Sequence, residues 1–289
     1  MSPVDLNKLN ELNIFCKNKG WLFEDLKNRF ADKGVIASTE PMPDAKGWIC
    51  VRSSEVRWIP RLDKVVVQVH DLADHDMALF RHVAGVSFTH PVQHLLWRRA
   101  GFSGRYMIRP IGSRAGVRIA AAMPDMPTIG FFCGESPDLK KGANIFEQAV
   151  LLARERIKFD CLLIGRGLAQ FSHLGLYEER PAGIEDYARI DAFFCASVSP
   201  AVPLSVYEAQ SAGKPVITTP RWFPGGDWPG VITCESVEGL ASAIVDVLKN
   251  RKVHFRNSAK SRRSPYTLES WVDENIAFAH DCITRAATI

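Results

Sequence analysis

Two doubly wound α/β domains with parallel sheets are what this 289-residue sequence predicts. Three observations carry the expectation. Short apolar runs alternate with amphipathic stretches from end to end. The run KVVVQVHDL, residues 64–72, is too rich in β-branched residues for a strand with one wet face, so it belongs in a sheet covered on both sides. A linker at residues 112–127, GSRAGVRIAAAMPDMP, carries two prolines and splits the alternation into two series.

The first series opens with a strand in ELNIFCKN, closed by Gly20. WLFEDLKNRFAD then spaces Trp21, Leu22, Leu26 and Phe30 along one helical face. VIAST and GWICVR read as strands, and residues 64–72 as the next. HDMALFRHV is helical, AGVSFTH a strand, PVQHLLWRRAG a helix opened by Pro91, and YMIRPIG a strand ending in a turn. In the second series TIGFFCG, FDCLLIG, DAFFCAS, PVITT and GVITC are strands. KGANIFEQAVLLARERI, PLSVYEAQSAG and VEGLASAIVDVLKNR are helices, the middle one capped by Gly213. RKVHFRNSAKSRRSP reads as a polar basic stretch leading to a last helix from Thr267.

Bulk properties narrow the setting. Hydrophobic residues at 46% and charged residues at 24% exclude a disordered chain. The net charge of +4 admits an anionic partner without requiring one. Seven cysteines include no Cys-x-x-Cys pair and lie mostly in apolar runs, which favours buried thiols in a reducing compartment over a metal site or disulfide framework. The N-terminus lacks a signal-peptide pattern, and no apolar run approaches the roughly 20 residues of a membrane-spanning helix. A cytoplasmic setting is therefore expected. The basic stretch at residues 249–263 is a solvated face or a contact for an anionic membrane or nucleic acid.

In doubly wound sheets ligands bind beyond the carboxyl ends of the strands, so functional residues should follow strands directly. Residues 191–219, DAFFCASVSPAVPLSVYEAQSAGKPVITT, are the most informative. The helix starting near Pro203, with Leu204 and Ser205, presents free N–H groups and a positive dipole end to an anion. Glu208, about one and a half turns in, is placed to accept hydrogen bonds from vicinal hydroxyls. Diphosphate and ribose would there form one continuous nucleotide site.

This segment resembles the donor signature of retaining glycosyltransferases of family 4, in which two glutamates with seven residues between them precede Ala-Met-Ala-x-Gly-x-Pro-Val-Ile. Glu208 through Ile217 match the second half, while the first glutamate falls on Pro200. TIGFFCGESPDLKKGANIFEQAV is similar to the family's strand, Gly-Arg, Lys-Gly, helix pattern, with Glu135 in place of the arginine. VVVQVHDL is similar to its Val-x-x-x-His-Asp-Leu strand end, and the glycine turn at Gly20 and IRPIG with Arg109 also match.

The resemblance implies two Rossmann-like domains facing across a cleft, the GT-B architecture. It puts an acceptor-side domain at residues 1–118, braced by a helix at 267–289, and a nucleotide-sugar domain at 119–266. The implied donor site comprises Gly134, Lys140, Lys141, Arg166, Pro203, Leu204, Ser205 and Glu208. Lys141 would neutralise the diphosphate, with Lys140 or Arg166 replacing the missing arginine. Gly20 and Arg109 would lie on the acceptor side, and His70 would act catalytically beside the transferred sugar. The implied activity is retaining, metal-independent sugar transfer from a nucleotide-diphosphate sugar to an unidentified acceptor (a glycan, a lipid-linked glycan or modified nucleic acid), with no cofactor. The changes at Pro200 and Glu135 keep an inactive sugar-nucleotide-binding scaffold in view. A sugar-nucleotide 2-epimerase is the third alternative.

Overall fold

The computed structural model describes residues 11–17, 21–70, 77–109, 111–112, 125–133, 141–197, 204–220, 230–260 and 267–286. Contacts divide the chain into two units, Met1–Ile111 with Tyr266–Ile289, and Gly112–Pro265. Each is built on a six-stranded sheet whose pairings are all parallel.

In the first unit the strands are β1 (Leu12–Phe15), β2 (Ile36–Ser38), β3 (Gly47–Cys50), β4 (Val65–Val69), β5 (Gly85–Phe88) and β6 (Tyr106–Ile108). The helices are α1 (Trp21–Asp32), α2 (Met77–Phe80), α3 (Pro91–Arg99) and α8 (Leu268–Ala286), with α4 to α7 in the second unit. The sheet order is β2-β1-β3-β4-β5-β6. The β-branched run behaves as its composition demands, for all five residues of β4 are buried. Val65, Val67 and Val69 point into a core with Phe80, Phe88, Trp97 and Phe102. Gln68 points to the opposite face, where its amide donates to Asn275 Oδ1 of α8 at 3.4 Å.

That opposite face is covered by α1 and α8. Trp271 of α8 is fully buried against Phe30 of α1, the ring centroids 6.1 Å apart and nearly perpendicular. Gly85 permits the close approach of α8, since a Cβ there would lie 2.8 Å from Cys282 Sγ. Ion pairs fringe the contact: Arg29–Glu269 at 2.7 Å, Lys33–Asp273 at 2.8 Å, Arg105–Asp281 at 2.6 Å and Arg109–Glu274 at 2.6 Å. Partly exposed pairs of this kind contribute about 0–1 kcal/mol each, so α8 is held mainly by burial of its apolar face.

The second unit comprises β7 (Thr128–Phe132), α4 (Ala143–Arg154), β8 (Asp160–Ile164), β9 (Leu176–Glu178), β10 (Ala192–Cys195), α5 (Leu204–Ser211), β11 (Val216–Thr218), β12 (Val231–Thr233), α6 (Val237–Lys249) and α7 (Arg251–Lys260). Its order, β12-β11-β10-β7-β8-β9, is the six-stranded dinucleotide-fold order. From β7 the chain runs outward through β8 and β9, then returns to place β10 on the other side of β7. Helices α4 and α6 cover one face with Phe146, Val150, Leu240 and Ile244. On the other face α5 contributes Val206 and Ala209 to a core with Phe132, Tyr187 and Phe193.

Two expectations need correction. The polar basic stretch after residue 250 is helical over Arg251–Lys260. Its sequence has no clear apolar stripe, and tertiary contacts hold it instead: Arg251 pairs with buried Asp191 at 3.4 Å, Ser258 is fully buried, and the Lys214 ammonium lies 5.7 Å from the Phe255 ring centroid. Strand β9 is an addition to the expected strands; three residues are too few for an alternation to show.

Candidate functional site

A doubly wound sheet opens a crevice where neighbouring strands send their connections to opposite faces. In the second unit this switch point lies between β7 and β10, since α4 follows β7 on one face and α5 follows β10 on the other. Lys141 and Gly142 lead into α4 at this point. Gly142 adopts φ 77°, and a Cβ there would lie 2.7 Å from the carbonyl carbon of Ala196 and closer still to its oxygen. Only glycine fits both the left-handed backbone and the approach to the end of β10.

Lys141 acts electrically on both central strands. Burial pushes the Cys133 thiol, just past β7, up to about 11, while the Lys141 ammonium pulls it down. Burial also raises Cys195 at the end of β10, against a hydrogen bond at Ser197 and the same ammonium. Arg166 joins the group just past β8: its side chain is exposed, and its carbonyl accepts from Cys133 Sγ at 3.6 Å. On the α4 and α6 side a cavity of about 430 Å³ opens at the ends of β10 and β11, lined by Ile145, Ala196, Thr219, Pro220, Ser236 and Leu240 among others.

Helix α5 begins at Leu204, with Leu204, Ser205 and Glu208 all half-buried. Glu208 Oε2 accepts from the Tyr187 hydroxyl at 3.1 Å. Sequence reasoning misses Tyr187, because nothing in the chain order reveals a contact 21 residues away.

The segment carrying Tyr187 is itself pinned. Asp186, 1% exposed, receives Arg180 through two contacts of 2.6 and 2.7 Å, Arg189 at 3.1 Å and the Gly183 amide at 2.8 Å. Glu178 pairs with the same two arginines. Burial would raise the Asp186 carboxyl, but Arg180, Gly183 and Arg189 together hold it below the usual range. A depressed pKa adds stability that is complete above the unfolded-state value of about 4 and fades as pH falls through the folded value. Asp186→Asn should therefore cost about 2 kcal/mol at pH 7, less than a wholly buried pair because both arginines are partly exposed. The gap to wild type should close below about pH 4. Urea melts at both pH values check this; a gap independent of pH would contradict it.

In the first unit His70 follows β4 and is half-buried, its ring centroid 6.1 Å from that of Trp271. Arg109 follows β6, and its guanidinium is tied to Glu274 by contacts of 2.6 Å. The Trp271 indole donates to the Arg109 carbonyl at 3.1 Å, so one side chain supports both expected positions. The structure thus gathers Lys141, Arg166, Leu204, Ser205 and Glu208 along one sheet edge and sets His70 and Arg109 on another. Gly20, Gly134, Lys140 and Pro203 lie outside the described residues, as do Pro200 and Glu135. Among the described residues no helix is long and apolar enough to cross a membrane.

Residues 127–250 match the family model described as glycosyl transferases group 1. No curated protein matches the chain in sequence. The Anabaena protein HepE, in complex with UDP and glucose, superposes with a TM-score of 0.69 at 14% identity over 94% of this chain and 92% of its own. WaaG, a glycosyltransferase involved in lipopolysaccharide biosynthesis, gives 0.67 at 13% identity over 93% of this chain and 99% of its own. TarM gives 0.66 at 12% identity over 80% of this chain, which spans only 54% of TarM. At these identities the likeness is one of fold, the two Rossmann-like domains of GT-B proteins. The family match itself lies within the second unit.

Proposed function

We propose that this protein transfers a sugar from a nucleotide-diphosphate donor held at the carboxyl edge of the second unit's sheet. The observation that supports this best is the Lys141–Gly142 turn, seated against Ala196 where β7 and β10 diverge. A diphosphate there meets the Lys141 ammonium and the start of α5, and the ribose falls beside Glu208. When the bond to the sugar breaks, negative charge grows on the departing diphosphate. A fixed ammonium and helix dipole lower the energy of that state without reorganising. Arg166 adds charge from the next strand end, with Lys140 as the other candidate.

In this reading the sugar is transferred with retention, the leaving phosphate assisting attack from its own side, and no metal or further cofactor takes part. His70 orients the transferred sugar through a hydrogen bond to a hydroxyl, and Arg109 and Gly20 belong to the acceptor side. The HepE complex holds UDP and glucose, which makes UDP-glucose the first donor to test.

Lys141→Ala should weaken nucleoside diphosphate binding by about 1.5–3 kcal/mol, roughly tenfold to a hundredfold, and leave binding of the bare nucleoside nearly unchanged. Calorimetry with both ligands reads the difference, and equal losses would remove Lys141 from the phosphate site. Hydrolysis and transfer assays with a panel of sugar nucleotides decide the rest. Donor binding without turnover would identify a sugar-nucleotide-binding scaffold, and a 2-epimerised donor would identify an epimerase.

A further inference from the structure

We infer that Tyr187 is a positioning residue, holding the Glu208 carboxylate in the orientation that receives the two ribose hydroxyls of the donor. The inference rests on the donor site just proposed and adds a residue and a selectivity to it.

Tyr187 brings a polar group into an apolar place. It is fully buried, with its ring edge-on to Phe132 at 5.1 Å and to Phe193 at 5.6 Å. Phenylalanine would fill this cluster without bringing a hydroxyl out of water, so the hydroxyl must be matched by a partner. It has two acceptors, Glu208 Oε2 at 3.1 Å and the Ser205 carbonyl at 3.0 Å. A phenol carries one proton, and the charged carboxylate is the stronger acceptor.

Position matters as much as strength. Phe132 ends β7 and Phe193 lies in β10, so the phenol ring is fixed to the two strands that flank the switch point. The Glu178, Arg180, Asp186 and Arg189 network stiffens its segment from the other side. A glutamate on a helix surface samples several rotamers. Anchoring one oxygen to a rigid phenol removes that freedom before the ligand arrives, which favours a ligand needing both hydroxyl contacts at once. The device therefore selects ribonucleoside over deoxyribonucleoside diphosphates.

Uridine, guanosine, adenosine and cytidine diphosphates first identify the base. The best of them and its 2′,3′-dideoxy form are then the probes, titrated calorimetrically into wild type, Tyr187→Phe and Glu208→Gln, with melting temperatures alongside. Wild type should prefer the ribo form by roughly tenfold or more. Tyr187→Phe should lose most of that preference while its affinity for the dideoxy form stays within about twofold. A purely structural tyrosine predicts a lower melting temperature with the preference intact, and that result would overturn the inference. If Glu208→Gln leaves the ribo preference untouched, the placement of ribose at Glu208 is wrong and the inference goes with it. Loss in Glu208→Gln without loss in Tyr187→Phe overturns only the role of Tyr187. A wild type that binds none of the four diphosphates overturns both. Should Tyr187→Phe fail to fold, Arg180→Gln loosens the same segment from its far side. An unchanged ribo preference in that variant would overturn the inference too.

Discussion

Trp271→Ala should destabilise the first unit by about 3–5 kcal/mol. The indole is fully buried, contacts Phe30 edge-on, lies beside His70 and donates to the Arg109 carbonyl. Truncation removes the largest apolar group of α8, opens a cavity between α8, α1 and the strand ends, and leaves a partly buried carbonyl without its donor. Trp271→Phe should recover part of the loss, since it keeps a ring but not the N–H. The surrounding ion pairs contribute too little to compensate. Denaturant melts followed by probes in each unit read the effect, because a chain of two units need not unfold in one step. A loss below about 1.5 kcal/mol would mean that α8 is peripheral to the unit's stability. The mutation also bears on function. It removes the support beneath His70 and Arg109, so any role of those residues should weaken with it.

Gly142→Ala is the second large effect, and it falls on the proposed donor site. Left-handed backbone disfavours a non-glycine residue by about 1–2 kcal/mol. The new Cβ would in addition sit 2.7 Å from the Ala196 carbonyl carbon and 2.8 Å from its Cβ. Backbone cannot swing aside as a side-chain tip can, so relief of the overlap costs a further 1–3 kcal/mol or so. A total of about 2–5 kcal/mol is expected in the stability of the second unit. Whatever shift relieves the clash separates the Lys141 turn from the end of β10. Nucleoside diphosphate affinity should therefore fall even in protein that remains folded at low temperature. A folded Gly142→Ala protein with wild-type affinity would show that the closeness of these two loops has no part in binding.

The amino-acid sequence by itself determined the architecture of each unit. A β-branched run such as Val65–Val69 is stable only when both its faces are covered, and covered parallel strands require helical crossovers between them. Helices α1, α4, α6 and α8 announced themselves through apolar spacing and α5 through the Gly213 cap that ends it, and the Lys-Gly and Glu-Ala segments stood where such sheets place ligands. These signals are local, carried by residues within one or two turns of each other. Contacts between distant segments were decided by tertiary structure alone. Helix α7 is polar and basic with no pronounced stripe, and it is held by Asp191 and by the burial of Ser258. The collar of Arg180, Asp186, Arg189 and Glu178 looks in sequence like ordinary surface charge, and only folding buries Asp186 at its centre. Tyr187 and Glu208 meet because α5 packs back over the face of the sheet on which Tyr187 is buried. Periodicity reports which face of an element is buried. It cannot report which side chains converge there, because convergence depends on how separate elements pack.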